Sequence, residues 1–377
     1  MAMKRLVKGL TSPWSLGFST FGAMYGFYHI WDSTQSGTKY ELAEDLAGKT
    51  YIVTGATSGI GQVAAEELAK RNARVIMACR NREKCVQARR DIVLATRNKQ
   101  VYCRQCDLED FDSIRQFVQK MCHGKFELDR IDGIVHNAAM MTDKRKVNKD
   151  GIERTLATNH LGSFLMTGLL LDKLLAQDHP VRVVFVNTNT INKKTELDFS
   201  NLNAEDEKKY DGYDAYKKSK LANAMFAKEL ALRLKDTNIS VFVADPGRTK
   251  SNLSNQLDGQ QFFLSRWLLM PVSFIMGERK VEKAVRPVLY AAADPVLNGK
   301  TGLFIDRERN ETEWSAVEDA ETRKKVWATS EVWSSLSTHM NELKHELGAA
   351  AIQFGSAPSA TDAQQATGRS WKHLWLW

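Results

Sequence analysis

Tyr216 and Lys220 stand four residues apart in the stretch Ala215-Tyr216-Lys217-Lys218-Ser219-Lys220-Leu221-Ala222-Asn223. On a helix that spacing puts both side chains on one face. An ammonium held near a phenol favours the phenolate, so the pair can lower the tyrosine from its ordinary value of about 10 toward neutrality. A tyrosine tuned in this way can give or take an oxygen-bound proton as a general acid or base. A half-buried tyrosine beside a solvated lysine has the same spacing, so the elements around the pair must decide between the two.

Upstream, Thr50-Tyr51-Ile52-Val53 has the apolar, β-branched character of a short buried strand. It runs into Thr54-Gly55-Ala56-Thr57-Ser58-Gly59-Ile60-Gly61 and then into the helical pattern Val63-Ala64-Ala65-Glu66-Glu67-Leu68-Ala69-Lys70. Glycines between a strand and a helix allow a tight turn and let backbone N–H groups approach a pyrophosphate at the helix N-terminus, where the helix dipole favours an anion. The spacing G-x-x-x-G-x-G differs from the usual dinucleotide fingerprint, and a tight strand-to-helix turn without a ligand would use the same glycines.

Together, the glycine turn and the Tyr-x-x-x-Lys pair resemble the short-chain dehydrogenase/reductase family, whose glycine motif is T-G-x-x-x-G-x-G. Further matches follow in chain order. Asp107-Leu108, after the strand-like Val101 to Arg104, resembles the family's adenine-binding corner. Asn137-Ala138-Ala139 resembles its N-A-G motif with Ala for Gly, and Asn159 matches its helix asparagine. Asp245-Pro246-Gly247 followed by Ser251 resembles its P-G-x-x-x-T segment with Ser for Thr. The resemblance covers roughly Ala47 to Leu347, about four fifths of the chain. Within the family the look is toward retinol-dehydrogenase-like members, including the polyprenol-oxidising branch. That look is carried by Met77-Ala78-Cys79-Arg80-Asn81, by Ser219 to Phe226, and by the long interval from Thr188 to Tyr216. Gly302 to Asp306 and the helix near Val326 to Trp333 also carry it.

The resemblance implies hydride transfer between a nicotinamide and a carbonyl or alcohol carbon, with Tyr216 handling the oxygen-bound proton. Lys220 would tune Tyr216 and hold the nicotinamide ribose, while Asn159 would position a helix break and a water in a proton relay. Thr188, at the end of Arg182-Val183-Val184-Phe185-Val186-Asn187-Thr188, falls where the family's catalytic serine is expected. Threonine keeps the hydroxyl but adds a methyl and a stiffer χ1. The implied cofactor contacts are Gly55, Ser58, Gly59, Ile60, Gly61, Arg80, Asn81, Asp107, Leu108, Asn137, Ala138, Tyr216, Lys220, Pro246, Gly247 and Ser251. Cys79 lies 18 residues after Gly61, where an NAD-preferring enzyme would carry a carboxylate, and Arg80 follows it. A guanidinium there, with Asn81 and Arg82 nearby, suits a 2′-phosphate, so NADP(H) is the expected cofactor.

Apolar runs at Thr50 to Val53, Arg74 to Ala78, Val101 to Arg104, Ile131 to Val135, Val181 to Val186, Ile239 to Ala244 and Thr301 to Ile305 alternate with helical stretches. That alternation predicts an α/β, doubly wound (Rossmann), mainly parallel seven-stranded sheet with helices on both faces. One catalytic domain is expected over residues 45–348, preceded by a targeting or anchor segment over 1–31 and followed by a disordered tail over 349–377, rich in Ala, Ser, Thr and Gln. The balance of 53 Lys+Arg against 45 Asp+Glu gives +8, but the basic residues are dispersed and carry no nucleic-acid-binding signature. Five cysteines without a repeated framework suggest free thiols in a reducing compartment. Cys103 and Cys106 lack a second pair at zinc spacing, so no metal site is expected.

Lys4, Arg5 and Lys8 precede Trp14 to Trp31, a stretch free of formal charge and rich in aromatic residues. It is marginal as a spanning helix and fits an interfacial anchor, because aromatic rings favour the headgroup boundary and flanking cations favour anionic lipids. No small-x-small cleavage site precedes Trp31. Membrane association through this segment is therefore expected, at the endoplasmic reticulum with a cytosolic-facing domain. The acid-free character up to Asp32 leaves a mitochondrial destination as the alternative. The apolar stretch Phe262 to Met276, where the family carries its substrate cover, points to a lipophilic alcohol or aldehyde, retinoid- or polyprenoid-like. A homo-oligomer is compatible with all of this. The rival expectation is a catalytically weakened nucleotide-binding member serving as a scaffold or sensor, motivated by Thr188 and the aromatic end Trp371 to Trp377.

Overall fold

In the computed structural model, residues 40–188, 191, 195–247, 249 and 280–338 are described, together with 22 and 26. Residues 1–21, Ser251, the stretch Phe262 to Met276 and the tail from 349 lie outside them, as do the expectations placed there. Among the described residues no helix is long and apolar enough to cross a membrane.

The seven anticipated strands all form: β1 Thr50–Thr54, β2 Arg74–Cys79, β3 Val101–Gln105, β4 Gly133–His136, β5 Val181–Val186, β6 Ile239–Ala244 and β7 Leu303–Ile305. They are joined by β8, Glu311–Thr312, which pairs antiparallel with β7. The sheet runs β3-β2-β1-β4-β5-β6-β7-β8, parallel up to β7. The chain reverses its direction of travel across the sheet between β1 and β4, which opens a crevice at the carboxyl ends of these strands.

Both faces are covered, which is why the strands read as continuous apolar runs rather than alternating ones. Along β5, Val183 and Phe185 pack with α3 (Phe111–Cys122), α5 (Gly162–Leu175) and α6 (Gly212–Arg233). Val184 and Val186 face the opposite layer, built by α1 (Gly59–Lys70), α2 (Arg82–Thr96) and α8 (Arg286–Ala293). The short α4 (Arg154–Leu156) leads through a π-helical turn, Ala157–Leu161, into α5, and α7 (Val281–Ala284) precedes α8. Leu42 and Leu46 are buried upstream of β1, and Tyr40 donates a 2.9 Å hydrogen bond to Asp294.

α9 (Ala320–Ser334) forms a third layer outside α5 and α6. Its Trp327 ring lies 5.6 Å from both Phe164 and Phe226, with the Arg233 guanidinium 4.1 Å above it. Arg323 reaches the buried Glu229 of α6, which Arg233 also holds. The Asn238 amide donates to the carbonyls of Leu174, Gln177 and His179, so its side chain is committed to holding the start of β6.

Candidate active site

The turn after β1 carries two glycines with left-handed φ, Gly55 at 64° and Gly59 at 56°, a region open to glycine at no steric cost. A Cβ on Gly55 would lie 2.8 Å from Ala138 Cα, and one on Gly61 would lie 2.3 Å from Asn137 Nδ2 and 2.5 Å from the Gly55 carbonyl. The glycine turn is therefore packed directly on the Asn137-Ala138 turn after β4. Thr54 Oγ1 accepts from the Asn137 and Ala138 amides at 3.0 Å, and Asn137 Nδ2 donates to the Thr54 carbonyl at 3.1 Å. A Cβ on Gly59 would meet nothing within 4 Å, so the backbone is open to approach there. Ser58, exposed at the N-cap of α1, makes no capping bond to the helix, Gly59 and Ile60 open its first turn, and that turn holds no acidic residue. These features fit a dinucleotide pyrophosphate: an accessible helix N-terminus, a close backbone approach and no competing anion.

Arg80 follows the end of β2 with its side chain 60% exposed, and its guanidinium lies 3.8 Å from the Glu109 carboxylate. The Asn81 side chain is committed elsewhere: it caps α2 by accepting from Lys84 N at 2.8 Å. Asp107, half-buried after β3, accepts from Glu109 N, and burial raises its carboxyl above the usual range. Leu108 is buried against Gly162, where any side chain would collide with its carbonyl.

Tyr216 and Lys220 both lie on α6, which Asp211 caps by accepting from Tyr213 N and Asp214 N. Lys220 is 3% exposed and donates from Nζ to the Val186 carbonyl at 2.8 Å, joining α6 to the end of β5 beside Thr188. Burial lowers its ammonium to about 8. Contrary to the sequence expectation, the Tyr216 phenol is pushed up, first by burial and further by Tyr213 and Asp245. The lysine ammonium donates to a backbone carbonyl, and burial is the leading cause of the raised phenol. A phenol held this way keeps its proton at neutral pH.

Asn159 sits in the π-helical turn, where the Gly162 amide reaches back to the Ala157 carbonyl. Its side chain brackets the backbone of Met140, accepting from N at 2.8 Å and donating to O at 2.9 Å. It also donates to Ser219 Oγ at 3.0 Å, and Ser219 in turn donates to the Tyr216 carbonyl at 2.8 Å. The Asn159 carbonyl accepts from Asn223 Nδ2 at 3.0 Å. The helix irregularity implied at Asn159 is thus a wide turn braced by α6.

Three buried polar residues carry weight that motif matching did not assign. Ser219 and Asn223 lie on the same face of α6 as Tyr216 and Lys220, at i+3 and i+7 from the tyrosine. Small polar residues on a core-facing helical stripe were the signal. Asn187 donates from Nδ2 to the Lys220 carbonyl at 2.9 Å and accepts from Thr188 N at 2.8 Å, fixing the chain that presents Thr188. Gly247, with φ 72°, donates to Asp245 Oδ1 beyond β6, in the turn that also contains Pro246. Among the described residues no group of three or more His, Cys, Asp or Glu is placed to hold a metal ion.

A glycine turn and a Tyr–Lys helix converging on the carboxyl edge of a parallel sheet define a nicotinamide-dependent oxidoreductase of the Rossmann type. The chain belongs to the short-chain dehydrogenase/reductase family, which uses NAD(P)(H); the short chain dehydrogenase family matches residues 49–197. It is 36% identical over 285 residues to mouse retinol dehydrogenase 13, covering 76% of this chain and 83% of that protein. To human retinol dehydrogenase 13 it is 34% identical over 319 residues, covering 85% and 94%. Among solved structures, an uncharacterized protein from Mycobacterium paratuberculosis superposes with a TM-score of 0.60 at 28% identity, covering 78% of this chain and 96% of that one.

Proposed function

We propose that the protein is an NADP(H)-dependent reductase or dehydrogenase for a lipophilic carbonyl or alcohol, of retinoid type, with Tyr216 as its proton donor. The observation that carries this is the joining of Tyr216, Ser219, Lys220 and Asn159 at the strand ends that face the glycine turn. Arg80, with no carboxylate at the preceding Cys79, supports the phosphorylated cofactor. The retinol dehydrogenase relatives support the lipophilic substrate.

Gly55, Gly59, Gly61 and the first turn of α1 would hold the pyrophosphate, Asp107 and Leu108 the adenine, and Lys220 the nicotinamide ribose. Asn137 and Ala138 brace the glycine turn. When bound, the nicotinamide supplies the hydride for reduction or accepts it for oxidation. The Thr188 hydroxyl orients the substrate oxygen, in the role a serine fills in the family. Tyr216, kept protonated by its burial, donates its proton to that oxygen during carbonyl reduction. Lys220 and the Asn159 turn form the path by which the phenol is reprotonated. The same reading locates the chain at the endoplasmic reticulum membrane through residues 14–31, with the catalytic domain facing the cytosol. The five cysteines, all free, support a reducing compartment.

The test is turnover of NADPH by the full chain with retinoid, polyprenoid and steroid carbonyls. Oxidation of NADPH that Tyr216→Phe abolishes is expected with the retinoid. Dinucleotide binding without turnover across the panel would favour a nucleotide-binding scaffold instead. Release of intact protein from membranes by high salt alone, or its recovery with mitochondria, would count against the location.

A further inference from the structure

Glu109 belongs to neither the glycine turn nor the Tyr216 helix, yet it forms an ion pair with Arg80, whose charge also reaches the Asp107 carboxyl. Its side chain is 17% exposed, while that of Arg80 is 60% exposed. The carboxylate is fixed: Oε2 accepts from Arg154 Nη2 at 2.6 Å, the backbone carbonyl accepts from Asn148 Nδ2 at 3.1 Å, and the backbone amide donates to Asp107 Oδ1 at 3.1 Å. Arg80 lies 3.8 Å from the same Oε2, beyond hydrogen-bond range but well within reach of its charge. The geometry is that of one partly buried anion shared unequally between two guanidiniums, held tightly by Arg154 and loosely by Arg80.

We infer that Glu109 sets the strength of cofactor discrimination by acting on Arg80, with Arg154 as the shield that determines how much of its charge Arg80 feels. This rests on the reading that Arg80 binds the 2′-phosphate. A phosphate group at Arg80 brings about −1.5 to −2 charges close to a carboxylate that cannot move away, so attraction by the guanidinium is opposed by repulsion from Glu109. A ribose without that phosphate is uncharged there and meets no such opposition. Arg154 neutralises part of Glu109 and leaves Arg80 available to the ligand. Because Arg154 opens the helix that continues through the π-helical turn to Asn159, the same ion pair joins the adenosine end of the site to the proton-relay turn.

Dissociation constants of NADPH and NADH, measured on the full chain by quenching of tryptophan fluorescence, test this. Glu109→Gln keeps the shape and removes the charge, and is expected to tighten NADPH by about 5- to 10-fold while NADH changes less than about 2-fold. Arg154→Gln releases Glu109 onto Arg80, and is expected to weaken NADPH by a similar factor with NADH again unmoved. The double variant should behave like Glu109→Gln, since Arg154 acts only through that carboxylate. Parallel changes in both dinucleotides, or a double variant whose effects simply add, would overturn the inference. Wild-type protein that binds NADH as tightly as NADPH overturns the cofactor reading itself. A wild-type preference for NADPH that both single variants leave unmoved overturns only the role of Glu109.

Discussion

Replacing Lys220 with methionine is expected to inactivate the protein while making it more stable at neutral pH. The lysine is 3% exposed, and burial lowers its ammonium from 10.5 to about 8. A charged lysine in that place therefore costs the native state roughly 3 kcal/mol, at about 1.4 kcal/mol per pH unit of displacement. Methionine removes this cost but leaves the Val186 carbonyl without its 2.8 Å donor, a loss of about 1–3 kcal/mol. The net gain at pH 7 is then on the order of 1 kcal/mol. The pH dependence is the sharper signature. Below about pH 8 the lysine is charged in folded and unfolded chains alike, and the burial penalty is present in full. Between about 8 and 10.5 the folded chain releases its proton first, so the penalty fades, and above 10.5 none remains. The unfolding free energy of the variant minus that of the parent should fall by up to about 1.4 kcal/mol per pH unit across that window. The difference is needed because burial raises the acids Tyr216 and Cys106, which lose stability as pH rises through the same region. Urea unfolding followed by tryptophan fluorescence at pH 7, 8, 9 and 10 measures both curves. A difference that stays flat with pH would refute burial of a charged Lys220 as the cause.

Thr188→Ser should retain or raise kcat/KM, whereas Thr188→Ala should lower it by about 10²–10³-fold, the usual loss when one oriented donor to a reacting oxygen is removed; equal activity of the two variants would show that the hydroxyl takes no part. Gly61→Ala should weaken dinucleotide binding by at least about 10-fold, because its Cβ would meet Asn137 Nδ2 at 2.3 Å and overpacking costs about 1–3 kcal/mol. Gly59→Ala meets no protein neighbour and in the free protein carries only the strain of φ 56°, about 1 kcal/mol, so the order of the two in urea unfolding checks the packing argument. The Cβ of Gly59→Ala would enter the space proposed for the pyrophosphate, so this variant should weaken binding as well. Ser330→Ala removes the partner that lies 2.6 Å from the buried His160 Nε2, with an expected loss of about 1–2 kcal/mol in urea unfolding. Burial lowers His160 to about 3, so the imidazole is neutral above that and the loss should be constant between pH 5 and 9.

The inner strands were legible because they bury side chains on both faces, so that short runs such as Val181 to Val186 carry almost no polar residue. The edge strand Val101–Gln105, with Tyr102 and Gln105 exposed, was legible from its place in the alternation with helices. β8 was not: Glu311–Thr312 is two residues long, and it exists as a strand only because β7 offers an edge. The site was legible where one backbone conformation demands one residue type, as at Gly55 and Gly61. It was misread where a local pair was allowed to stand for its surroundings. Four residues of spacing suggested that Lys220 lowers Tyr216, whereas enclosure of the phenol by elements distant in sequence raises it. Likewise Cys103 was read against Cys106 nearby in sequence, but it lies against Cys85 of α2, a contact set by the packing of that helix on the sheet. Asn81 next to Arg80 looked like a phosphate ligand, and its side chain is the cap of α2. The Arg80–Glu109–Arg154 cluster brings together three segments that have no common sequence signal.

What holds Tyr216 in place is best understood from the wide turn at Asn159. A π-helical turn is less favourable than continuous α-helix and persists where other groups compensate it. Here the compensation comes from three directions. Met140, just past the Asn137 turn, gives both its backbone groups to the Asn159 side chain. On α6, Ser219 accepts from that side chain and Asn223 donates to the carbonyl of the same residue. From α9, Ser330 meets the His160 ring, which is neutral and enclosed by Phe164 and Phe226. Ser219, Asn223 and Ser330 are themselves buried, so removing one strands a polar group that water cannot reach. The turn and the tyrosine helix therefore behave as a single body. A substitution at Ser219 or Asn223 should alter kcat through the position of Tyr216 even though neither side chain need touch the substrate.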